Sequence, residues 1–171
     1  MNKRGAYFFV IDALIAGSII FLSLIIIFTT HSIEPKTSPT LRLMEDYTDV
    51  LINTRIREFQ GSYVQDLTNN SNITNLDNTL LQQLTEFYYY NVSGLRDTSA
   101  IMSGFVEEIS HGIIPAQRSF AIYINKSLIY NRANIPVEQA KLVLNSKKLA
   151  FKKINYTYIY GPVIVEVKIW S

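Results

Sequence analysis

From Ala6 to Phe28 the chain runs for 23 residues with a single charged side chain, Asp12. As a helix this stretch is about 35 Å long, slightly more than the ~30 Å hydrocarbon core of a bilayer. A core helix of a globular domain is rarely apolar on every side for that distance. A secretory signal peptide has a shorter apolar region followed by a small-residue cleavage site, and "IIIFTTHS" offers no convincing one. The sequence therefore predicts a helix that spans a membrane, residues 6–30.

The remaining residues, 31–171, are enough for one modest core. With no cysteine in the chain, disulfides, thiol catalysis and thiolate metal sites are excluded. Lys3 and Arg4 precede the apolar run while Lys36 and Arg42 follow it, so the cation count hardly favours either orientation. Sequons speak more clearly. Asn69, Asn72, Asn91, Asn125 and Asn155 each open an Asn-x-Ser/Thr motif, against roughly two expected by chance from the composition. All five fall in stretches that read as exposed, which points to an extracellular domain with these asparagines as candidate glycan acceptors.

Along the chain, "HSIEPKTSP" holds two prolines and reads as a short stalk, residues 31–40. "TLRLMEDYTDVLINTRIREFQ" reads as one helix ended by Gly61 and Ser62, with Met44, Tyr47 and Leu51 on its apolar stripe. "TNNSNITN" is a polar loop. A second helix is expected from Asp77, as N-cap, to Tyr90, and a third from Thr98 to Ser110. The period then changes to two. "SFAIYINKSLIYN" reads as a hairpin turning at "NK", "IPVEQAKLVLNS" as a short helix, and the last 25 residues as two strands turning at Gly161-Pro162. The fold class is α+β: a long N-terminal helix, further helices, then an antiparallel sheet of about four strands with one face covered, the extracellular domain occupying 41–171.

Charge is split between the layers. Residues 31–117 carry 5 basic and 11 acidic side chains, and residues 118–171 carry 9 basic and 2 acidic. That describes either two solvated faces of one domain or an acidic side that meets the basic side of another copy.

Asp12 remains to be explained. A carboxylate on a membrane helix costs about 2.5–3.5 kcal/mol near the bilayer centre and less toward its edge, unless it is protonated or paired. It lies about 9 Å along the helix from Ala6. Either hydrated headgroups and the nearby Lys3 and Arg4 accommodate it, or a fixed cation meets it. Lys3-Arg4-Gly5, followed at once by the long apolar helix with its early acid, resembles the class III signal peptide of type IV pilin-like proteins. "GAYFFVIDALIAG" is closest to archaeal members. The resemblance covers about the first 30 residues and implies the following. A membrane-bound prepilin-type peptidase cuts on the cytoplasmic side after Gly5, Ala6 becomes the new amino terminus, and the leader, residues 1–5, is lost with Lys3 and Arg4. The retained helix first anchors the subunit and then packs in a filament core with like or related subunits. Asp12 takes the place of the acid that neutralises a neighbouring amino terminus; the family usually carries a glutamate slightly nearer the cut. Independently, Ala13, Ala16 and Gly17 form a small-residue face on which helix backbones approach closely.

No catalytic signature emerges. His31 and His111 have no second ligand at metal spacing, and neither a HExxH nor a phosphate- or dinucleotide-binding motif occurs. Glu107 and Glu108 are adjacent on a helix and point about 100° apart. The Lys147, Lys148, Lys152, Lys153 group reads as a wet sheet face, not as a nucleic-acid surface. The expectation is a non-enzymatic, membrane-anchored structural subunit of a surface filament or pseudopilus-type assembly, with no cofactor and lipid and pilin subunits as partners. The alternative is an uncleaved single-pass protein whose outer domain binds a ligand or partner.

Overall fold

A computed structural model describes residues 3–32 and 39–171, with side chains of the first helix described from Phe9 to Phe28. The chain divides into two compact units, 1–37 and 38–171. The first is a single helix, α1 (Lys3–Ser32). The predicted stalk falls mostly outside the described residues; its first two residues end α1 and its last two begin the next helix.

The second unit opens with α2 (Pro39–Asn53), which buries Met44, Tyr47, Thr48 and Leu51 at the i, i+3, i+4, i+7 spacing of one helical stripe. The expected single long helix is in fact interrupted. After Asn53 come an isolated bridge between Arg55 and Thr79 and one turn of 3-10 helix, Ile56–Glu58. Gly61 and Ser62, expected as a terminator, instead begin α3 (Ser62–Asn69) with Gly61 at its N-cap. The reason lies on another element. Glu108 accepts from the backbone N–H groups of Tyr63 (2.8 Å) and Val64 (2.9 Å), supplying from a distance the acceptor that a glycine cap lacks. Its carboxylate occupies the space a Cβ at Gly61 would need.

Next is α4 (Leu80–Val92), capped by Thr79 and not by Asp77. Thr79 Oγ1 accepts from Gln82 N and Gln82 Oε1 accepts from Thr79 N, a reciprocal capping box. Asp77 is drawn off by an exposed ion pair with Arg57 at 2.9 Å. The third expected helix is α5 (Ser99–His111).

The sheet comprises β1 (Ser119–Ile124), β2 (Ser127–Arg132), β3 (Val143–Lys153) and β4 (Ile159–Trp170), in the order β2-β1-β4-β3 and antiparallel throughout. Asn125 and Lys126, both at positive φ, make the tight β1–β2 turn. Phe120, Ile122 and Ile124 of β1 meet Val163, Val165, Val167 and Ile169 of β4 on the inner face, against which the helices of the second unit pack. Tyr47 of α2 meets Phe120 edge-on at 5.0 Å and Phe87 of α4 meets Phe105 of α5 at 5.6 Å, so the layers interlock through aromatic contacts.

Two expectations about the C-terminal third are corrected. "IPVEQAKLVLNS" forms only a 3-10 turn, Val137–Gln139, before the chain extends into β3 at Val143. Pairing with the long, β-branched β4 outweighs the helical propensity of that stretch. And Gly161-Pro162 lies inside β4 rather than between two strands. The reversal occurs earlier, where Ile154 N donates to Tyr158 O and Asn155 Oδ1 collects the N–H groups of Thr157 and Tyr158. Gly161 and Pro162 form a bulge: Ala150 pairs with Val163, yet Lys152 pairs with Tyr160.

Candidate functional site

The N-terminal helix carries the first set of candidate residues. Its Phe9–Phe28 stretch is long and apolar enough to cross a bilayer, and every described side chain on it is exposed. The two hydroxyls in this stretch are satisfied within the helix: Ser18 Oγ donates to Leu14 O and Ser23 Oγ to Ile19 O, each at 2.8 Å. No polar group other than Asp12 therefore asks for water.

At the helical repeat Asp12 stands under Ala16, and Ala13 under Gly17, so the carboxylate borders the small-residue stripe. Phe9, Ile11 and Ile15 surround Asp12, while Phe9, Leu14 and Phe21 flank Ala13 and Gly17. Space beyond Gly17 is open to 4 Å. Among the described residues no cation pairs with Asp12. Lys3, Arg4, Gly5 and Ala6 form the start of α1, and their side chains lie outside the described set.

A second cluster lies in the other unit and has no precedent in the sequence reading. Lys152 on β3 is 6% exposed, not on a wet face. Its Nζ stands 3.0 Å from Glu86 Oε2 of α4 and donates to Asn78 Oδ1 at 2.6 Å. Asn78 Nδ2 donates to the same Glu86 oxygen (3.0 Å) and to Gln83 Oε1 (2.8 Å). Tyr90 Oη donates to the other Glu86 oxygen at 3.3 Å; burial, then the adjoining carboxylate, hold that phenol above its ordinary pKa. Alternation along β3 explains the burial: Ala150 and Lys152, two residues apart, share its covered face. The bulge acts on β4: its one extra residue at Gly161-Pro162 brings Tyr160 to the face of Val163, and Tyr160 packs on Tyr89 at 4.9 Å. Alternation counted along β4 alone gives no such signal; a glycine-proline pair inside a strand-like run is the one hint.

No protein family, curated protein or solved structure matches this chain.

The other lysines of the group divide: Lys147 is exposed and pairs with Glu166 at 3.6 Å, Lys148 is half-buried and Lys153 lies over the Tyr156 ring. His111 is exposed beside Glu107, and Glu108 serves α3 as described. Of the sequons, Asn69, Asn125 and Asn155 are exposed, whereas Asn72 and Asn91 are half-buried. The amide oxygen of Asn72 accepts from Arg96, and that of Asn91 from Thr98 N and Ser99 Oγ.

Proposed function

We propose that this chain is a membrane-anchored, pilin-like structural subunit. It is processed between Gly5 and Ala6 by a prepilin-type peptidase and assembled through its N-terminal helix into a surface filament or pseudopilus of the archaeal kind. The observation that carries the reading is an apolar helical stretch, Phe9–Phe28, exposed along its length and holding one carboxylate unpaired among the described residues, in a chain whose second unit closes a core of its own. A rod of this kind needs lipid or other rods around it. Its lone acid gains most when a neighbour's cation meets it, and the new amino group of Ala6 is such a cation. In this reading Lys3 and Arg4 stay cytoplasmic, the α+β unit faces outward, and Asn69, Asn125 and Asn155 are the accessible glycan acceptors.

Charge distribution supports contact between copies. Among the described residues a single ion pair, Lys152–Glu86, joins the acidic helical part to the basic sheet part. Arg55 and Arg57 pair with Asp77, and Lys147 and Lys168 with Glu166, each within its own part, which leaves exposed charges such as Asp66 and Lys126 for water or for a neighbour. The experiment that tests the reading is determination of the mature amino terminus on protein taken from its native membrane. Ala6 as first residue is the expected result; an amino terminus upstream of Gly5 would leave the chain a simple single-pass anchor with an outer binding domain.

A further inference from the structure

Lys152, Glu86 and Asn78 touch pairwise. The amine contacts the carboxylate at 3.0 Å and the carboxamide oxygen at 2.6 Å, and the carboxamide nitrogen contacts that same carboxylate oxygen at 3.0 Å. An ion pair alone requires only two of the three. Here the electrophilic carbon of Asn78 lies one bond beyond the oxygen that Lys152 touches. The nitrogen that would leave rests on the carboxylate that also touches the nucleophile. Nucleophile, acyl group and proton carrier, the groups acyl transfer draws on, are thus in mutual contact.

We propose that Lys152 and Asn78 become joined by an intramolecular side-chain amide, with Glu86 as the proton carrier. Glu86 takes a proton from the Lys152 ammonium, and the freed Nζ lone pair adds to Asn78 Cγ. Glu86 hands its proton to Nδ2 and takes the second Nζ proton as the Cγ–Nδ2 bond breaks, then passes that proton to the departing ammonia. One C–N bond forms, one breaks, ammonia departs with the proton first borrowed as an ammonium ion, and the carboxylate is regenerated. No oxidant or co-reactant is consumed.

The surroundings favour this exchange. Asn78 and Lys152 are 4% and 6% exposed, so water competes poorly for the acyl carbon. Asn78 is held in both side chain and main chain: its Nδ2 donates to Gln83, and its backbone carbonyl accepts from Ile56 N at 2.9 Å. Tyr90 fixes the second oxygen of Glu86. Holding the partners together raises their effective concentration, which is what a sluggish amide exchange needs. The product would tie the segment ahead of α4 to edge strand β3, a covalent staple in a chain that has no cysteine. The proposal does not depend on how α1 is processed.

The test is peptide mapping and intact mass of the full chain, purified in detergent. The expected result is a branched peptide joining the segment that holds Asn78 to the segment that holds Lys152. Trypsin would not cut after Lys152, and the whole chain would be lighter by the mass of one ammonia. Recovery of the two segments as separate linear peptides with both side chains intact overturns the proposal, whatever the variants do. In Glu86→Gln the branched peptide should be lost and the missing mass restored; its persistence would overturn the part given to Glu86. In Lys152→Arg the ammonia should likewise be retained, and its loss there would place the elimination elsewhere in the chain.

Discussion

Glu86 of α4 and Lys152 of β3 meet at 3.0 Å with 13% and 7% of their side chains exposed, and theirs is the ion pair that links the helical layer to the sheet. Removing one member strands the other in a dry site. Breaking a buried pair in this way costs about 3–5 kcal/mol from the ion pair alone. Glu86→Ala is therefore expected to lower the unfolding free energy of the second unit by at least about 3 kcal/mol, read by denaturant titration of the full chain in detergent. An effect under about 1 kcal/mol, typical of exposed pairs, would mean the pair is solvated.

Asp12 bears on assembly and not on insertion. Replacing it with alanine removes the only charge between Ala6 and Phe28, so Asp12→Ala should enter the membrane at least as well as the parent. What should fall is the yield of cross-linked multimers in intact membranes. Equal multimer yield in the variant would remove the pairing role from Asp12 while leaving the anchor in place.

Gly161 holds φ at +120°, and a Cβ there would stand 2.7 Å from the backbone oxygen of Ala150. Neither backbone can yield without opening the β3–β4 ladder. Gly161→Ala is expected to cost about 1–3 kcal/mol in backbone strain, with the clash added. Denaturant unfolding of the variant in detergent measures this cost, and an unchanged midpoint would mean that the bulge relaxes around the added methyl.

Glu166 sits on the outer face of β4, where burial would raise its pKa. The Lys168 contact at 3.3 Å, Lys147 and the Asn145 amide outweigh that and hold the carboxyl below the ordinary carboxylate value. A folded pKa below the unfolded one gives stability that is present above the unfolded value, near 4.5, and lost as pH falls through the folded value. Glu166→Gln should flatten this part of the acid limb in a thermal-unfolding series against pH. An unchanged acid limb would show that the lysines around it are too well hydrated to matter.

Much of the fold was legible where a local period carries it. Met44, Tyr47 and Leu51 announce α2, Phe120, Ile122 and Ile124 announce β1, and the valines of β4 announce a half-covered strand. Two of the misreadings share one cause. Gly61 and Ser62 look like a stop, but a carboxylate from α5 makes them a start. Lys152 looks like one more wet lysine, but Glu86 of α4 and Asn78 ahead of it cover its face. In each case the deciding group is far away in sequence, so no window along the chain contains it.

By itself the sequence determined that an apolar rod with one acid is joined to a separate α+β unit, because hydrophobic length and period are properties of consecutive residues. The tertiary structure alone decided that an amine, a carboxamide and a carboxylate from three separate segments close into one buried cluster. Pairing register and helix packing set such meetings, and both are settled only when the layers come together.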